Sequence, residues 1–139
     1  MNNVAVVKEG ITTGSGRSLN FGNYTVKEKI KVKDFEVDGD LFSVKTHDEL
    51  TRLEKNGKML VESVPGASFF DFVLKEDEIA CRVSGKGDTQ ITLELEPEVN
   101  YKLMANNEII GEMKSTKAGK INFSLELSEE EKQVKIQKI

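Results

Sequence analysis

Hydrophobic and polar residues alternate along much of this chain. Val26, Glu28, Ile30 and Val32 interleave with Lys27, Lys29, Lys31 and Lys33. A period of two sends successive side chains to opposite faces, which predicts a strand. Phe35-Glu36-Val37 and Leu41-Phe42-Ser43-Val44 flank Asp38-Gly39-Asp40. Asp-Gly between β-prone runs predicts a hairpin, because a tight turn needs positive φ. Next, Thr46 and Glu49 have capping-box spacing, Leu50 and Leu53 share a helical face, and Gly57 follows Arg52 and Lys55. These signals predict a short helix over about 47–55. The competing reading is a second hairpin turning at Asn56-Gly57. Lys58 to Glu62 is a strand either way, and Pro65-Gly66 is a turn.

From residue 66 onward the chain reads as seven short strands, near 68–74, 78–84, 89–95, 99–104, 109–114, 120–127 and 132–138. Gly85 to Asp88, Asn106-Asn107 and Ala118-Gly119 separate several of them. The expected fold is mainly β: an antiparallel β-sandwich of immunoglobulin or fibronectin-III character in residues 66–139, and a smaller β lobe with one short helix in residues 19–65. Residues 1–18 read as an arm, with β-prone Val4 to Val7 ahead of a flexible linker from Gly10 to Gly16. The whole is one domain, or two small lobes sharing a core.

Composition narrows the function. The 139 residues are 37% hydrophobic and 32% charged, with a formal net charge of −4. Phosphate neutralisation needs a basic surface, so nucleic acid is not an expected partner. No apolar run approaches the roughly 20 residues of a membrane span. Met1 to Lys8 lacks a basic segment followed by a long apolar stretch, so no classical signal peptide is visible. Cytoplasmic synthesis is expected, with later release or surface assembly left open.

Candidate chemistry is sparse. A single histidine, His47, and a single cysteine, Cys81, fall short of a zinc ligand set. His47 is expected on the exposed first turn of the helix, and Cys81 is expected buried with Ile79 and Val83. Asp34, Glu36, Asp38 and Gly39 mimic the opening of a calcium loop, but Lys45 stands where the bidentate carboxylate belongs. Gly14-Ser15-Gly16-Arg17-Ser18 lacks the first glycine and the lysine of a phosphate-binding loop. No catalytic residue, metal or cofactor is expected.

The charged strands carry more. Lys27, Lys29, Lys31 and Lys33 form a lysine ladder, and Glu94, Glu96 and Glu98 an acidic one. They are solvated faces, with the lysines guarding an edge strand; or the ladders meet and set assembly register; or the lysines hold an anionic polymer. Val4, Val6 and Val7 are candidate assembly residues, since an arm can add a strand to a neighbour's sheet.

Phe21-Gly22-Asn23-Tyr24, Val44-Lys45-Thr46, Arg52 to Gly57, Glu62 to Gly66 and Thr89 to Leu93 resemble a family of short bacterial proteins labelled endosialidase or endosialidase-like. The likeness runs through most of the chain from about residue 19. It implies an association with polysaccharide or with phage-like or surface structures. It carries no catalytic residue: sialidases use an arginine cluster and tryptophan-bearing turns, whereas this chain has only Arg17, Arg52 and Arg82 and no Trp. The leading expectation is a non-catalytic, self-associating structural or surface subunit with a strand-donating arm. The alternative is a binding module for an anionic polysaccharide, through Lys27, Lys29, Lys31 and Lys33.

Overall fold

A computed structural model gives the fold of residues 6–139. The described strands are β1 (Ile11–Thr13), β2 (Leu19–Phe21), β3 (Ile30–Val37), β4 (Asp40–Thr46), β5 (Thr51–Lys55), β6 (Lys58–Val64), β7 (Ser68–Leu74), β8 (Glu78–Ser84), β9 (Gly87–Glu94), β10 (Asn100–Ala105), β11 (Glu108–Lys114), β12 (Lys120–Leu127) and β13 (Lys132–Lys138). Alternation explains them. In β12, Ile121, Phe123, Leu125 and Leu127 are buried while Lys120, Asn122, Ser124 and Glu126 are exposed.

The strands form two antiparallel sheets. The first runs β1-β2-β7-β8-β13-β10-β11 and the second β12-β9-β6-β5-β4-β3. Their inner faces close one core that includes Phe21, Leu53, Val61, Phe69, Val83 and Leu93, so the chain is a β-sandwich. Phe21 stacks on Phe69 with centroids 4.7 Å apart and meets Phe72 edge-on at 5.4 Å. Among the described residues no helix is long and apolar enough to cross a membrane.

Among the described residues, three two-residue turns have both central residues at positive φ: Asp38-Gly39, Asn56-Gly57 and Asn106-Asn107. That is the turn whose twist matches paired strands. The seven strands expected after residue 66 are β7 to β13. Both sheets draw on either side of residue 65, since β2 pairs with β7 and β6 with β9.

Two expectations are corrected. The short helix over 47–55 is absent among the described residues. Thr46 and Thr51 face each other across a hairpin, and His47 N–H donates to the Leu50 carbonyl at 2.8 Å to close its loop. Thr51 and Leu53 point inward while Arg52 and Glu54 point outward, a period of two that short apolar spacing had disguised. The second hairpin at Asn56-Gly57 is the reading that holds. The run from Gly10 to Gly16 is not a linker: Ile11–Thr13 pairs with Leu19–Phe21, and Gly14 N–H donates to the Ser18 carbonyl at 2.9 Å.

One end of the sandwich is fastened by buried hydroxyls. Asn23 N–H donates to Thr46 Oγ1 at 2.8 Å. Thr46 Oγ1 lies 2.7 Å from Thr51 Oγ1. Thr51 donates to the Ala67 carbonyl at 2.8 Å and accepts the Ala67 N–H at 3.1 Å. Ser68 donates to the Gly22 carbonyl at 2.7 Å. Donors and acceptors balance if the Thr46 hydroxyl donates to Thr51. Thr46 and Thr51 belong to the second sheet, whereas Asn23 and Ala67 adjoin β2 and β7 of the first, so these bonds join the layers. Replacing Thr46 by Val orphans the Asn23 N–H and costs about 2 kcal/mol. Replacing it by Ser keeps the hydroxyl and costs about 1 kcal/mol, for one methyl. Urea unfolding separates the two; a Val variant as stable as the Ser variant would discount the network.

Candidate anion-binding surface

The lysine ladder lies at an edge of the second sheet. Lys27 and Lys29 occupy the segment before β3, and Lys31 and Lys33 lie on β3 itself; all four are exposed. The strand therefore begins four residues later than the alternation from Val26 suggests. A bulge follows: Val32 faces Val44 but Phe35 faces Phe42, with Asp34 at φ 55°. The extra residue lets Val32 and Phe35 both pack against the core.

Strand register adds what the ladder alone does not show. Lys31 stands opposite Lys45 on β4, Lys45 opposite Arg52 on β5, and Arg52 opposite Glu62 on β6. With neighbouring strands about 4.8 Å apart, the three cations span roughly 10 Å of the outer face. Arg52 is neutralised, its Nε 3.2 Å from Glu54 and its Nη1 3.1 Å from Glu62. Lys27, Lys29, Lys31, Lys33 and Lys45 make no ion pair among the described residues. Like charges directly opposite one another cost stability, and here they stand on a protein of net charge −4. Alternation assigns faces, not neighbours, so the sequence alone does not join Lys45 to the ladder.

The other candidate assembly residues that fall within the described part lie apart. Glu94 lies opposite Lys120. Glu96 lies past the end of β9 and accepts a hydrogen bond from Lys138 Nζ at 2.6 Å, which holds that ammonium above its ordinary range. Glu98 sits in a turn at φ 54°. Three strands separate β9 from β3, roughly 19 Å across the sheet, so the ladders do not meet within one molecule. Val7 is buried, and its N–H donates to the Gly22 carbonyl at 3.2 Å. Val6 is half-buried, and Val4 lies outside the described residues.

The remaining reactive groups are dispersed. Arg17 pairs with Asp38 at 2.9 Å, and Arg82 lies on the first sheet between Asp71 and Glu131, 2.5 Å from each. With Arg52 on the second sheet, the three arginines occupy separate surfaces. His47 corrects another expectation: its side chain is only 12% exposed, held in the β4–β5 loop with Nδ1 3.3 Å from Asp48. Cys81 packs against the core, and burial pushes its thiol up to about 12. Among the described residues no group of three or more His, Cys, Asp or Glu is placed to hold a metal. A cavity of about 500 Å³ opens between the sheets at the end away from the threonines. Leu60, Ile79 and Ile136 line it together with four lysines and five carboxylates, and the Tyr101 hydroxyl there accepts the Glu96 N–H at 3.2 Å. With charges of both signs in nearly equal number, it favours neither sign of ligand.

No family model, no curated protein and no solved structure matches this chain.

At the far edge of the same face, Glu126 stands opposite Asp88, whose hydrogen bond and charge raise the Glu126 pKa. A carboxyl whose folded pKa is raised holds its proton longer than in the unfolded chain. This pair therefore weakens the fold as pH rises through that pKa. Asp88→Asn raises the thermal midpoint at pH 7 and changes it less at pH 4. A shift equal at both pH values, measured by calorimetry, would contradict the pairing.

Proposed function

We propose that this chain is a non-catalytic binding module for an anionic polysaccharide, held on the lysine-rich edge of the second sheet. One observation carries the reading: Lys31 and Lys45 face each other without a counter-charge among the described residues, in continuity with Lys27, Lys29 and Lys33. Edge protection accounts for lysines on β3. It does not account for Lys45, which lies on β4, inside the sheet. A polyanion laid across both strands supplies the missing counter-charge. The resemblance to endosialidase-like proteins points toward the same ligand class, with polysialic acid as the natural probe.

Exposed charges act through solvent and are screened, so binding is expected to weaken steeply with added salt. Replacing Lys27, Lys29, Lys31, Lys33 and Lys45 together by Ser is expected to reduce affinity for polysialic acid more than tenfold at low salt, or about 1.4 kcal/mol or more. Titration calorimetry over a salt series checks both. Parental affinity in the five-fold variant, or binding indifferent to salt, would remove the reading.

A self-associating structural subunit is the second reading. The N-terminal arm lends it no support from Val7 onward, since Val7 and Gly10 bond within their own chain and Ile11–Thr13 pairs with Leu19–Phe21. What favours it is the edge of β11, which has no strand partner beyond β10 among the described residues and where Ile109 and Ile110 are 62% and 47% exposed.

A further inference from the structure

We infer that β11 pairs with β11 of a second copy of this chain, antiparallel, about a twofold axis at Met113. This rests on the self-associating reading and gives it an interface. Among the described residues four strands end the two sheets, and three are blunted. β1 has three residues. β3 carries its lysines and a bulge. On β12, the Lys120 N–H and carbonyl are both engaged by Thr116, and the Glu126 carbonyl accepts from Lys132 Nζ at 2.7 Å. β11 has seven residues, and its bulge falls at Ile110, leaving Gly111 to Lys114 in regular register with β10.

That regular stretch is self-complementary. Ser115 N–H donates to the Val99 carbonyl at 2.9 Å, toward β10. Backbone groups of a strand alternate in direction. Met113 therefore also bonds toward β10, while Glu112 and Lys114 turn their N–H and carbonyl groups to the open edge. Antiparallel pairing about Met113 sets Glu112 against Lys114 of the second copy, and Lys114 against its Glu112. Each such pair exchanges two backbone bonds, giving four.

The side chains agree with the backbone. Glu112 and Lys114 lie opposite Lys102 and Asn100, on the outer face, while Met113 lies opposite buried Tyr101. A twofold axis perpendicular to the sheet keeps the outer faces together, so carboxylate meets ammonium at both pairs. Both residues are exposed and make no ion pair among the described residues. The contact is small, so the dimer is weak and reversible.

Sedimentation equilibrium of the full chain up to about 1 mM at low salt tests this. The parent is expected to dimerise. Glu112→Lys alone, or Lys114→Glu alone, places like charges at both pairs and weakens the dimer at least about tenfold. An equimolar mixture of the two single variants restores association, and so does the double exchange within one chain. Both residues are exposed, and circular dichroism verifies that each variant folds. A parent monomeric throughout would overturn this interface and the self-associating reading together. A parental dimer unaffected by either single change, or not restored in the mixture, would overturn the interface and leave that reading standing.

Discussion

The layered arrangement depends on the contact between two buried hydroxyls, Thr46 and Thr51. They face each other across the β4–β5 hairpin, and each also bonds to backbone at the end of the opposite sheet. Strand pairing alone leaves register open to slippage, and a slip of one residue would carry Lys45 and Arg52 into the core. Two threonines that find their partners in only one register remove that freedom. The row Lys31–Lys45–Arg52 on the outer face is thus fixed by polar bonds on the inner face, one residue away.

The joint also needs backbones in close approach. A Cβ on Gly22 would lie 2.2 Å from the Ala67 carbonyl oxygen, and one on Gly66 would lie 2.0 Å from that of His47. Gly22 stands at φ 97° besides, a conformation natural to glycine. Further bonds tie the loop in: Asp48 N–H donates to Val26 at 2.8 Å and Gly66 N–H to Asp48 at 3.0 Å. Phe21 to Tyr24, Val44 to Thr46 and Pro65-Gly66 meet here. They encode a structural joint at one end of the sandwich, whereas the unpaired lysines project from the outer face.

Strand periodicity and turn chemistry made most of the architecture readable in advance. Ile121 to Leu127 alternates without a break, and Asp38-Gly39 and Asn106-Asn107 adopt the positive φ their residue types favour. The stretch after Thr46 misled because Thr and Glu three apart, with leucines at 50 and 53, fit a capped helix locally. The hydroxyl of Thr46 accepts instead from Asn23, a partner distant in sequence. The lysine ladder was visible as a run, but its extension to Lys45 follows from which strands are neighbours. The unguarded edge at β11 was hidden for the same reason: alternation describes the faces of a strand and is silent about its place in a sheet.

Native-state hydrogen exchange of the Asn23 and Ala67 amides tests the joint most directly. Both lie outside strands, where amides ordinarily exchange through local opening. If hydroxyl bonding fastens the two layers here, both exchange only through global unfolding, with the free energy found from denaturant. Exchange at the rate of the exposed turn at Asn56-Gly57, while the core of β8 stays protected, would contradict it.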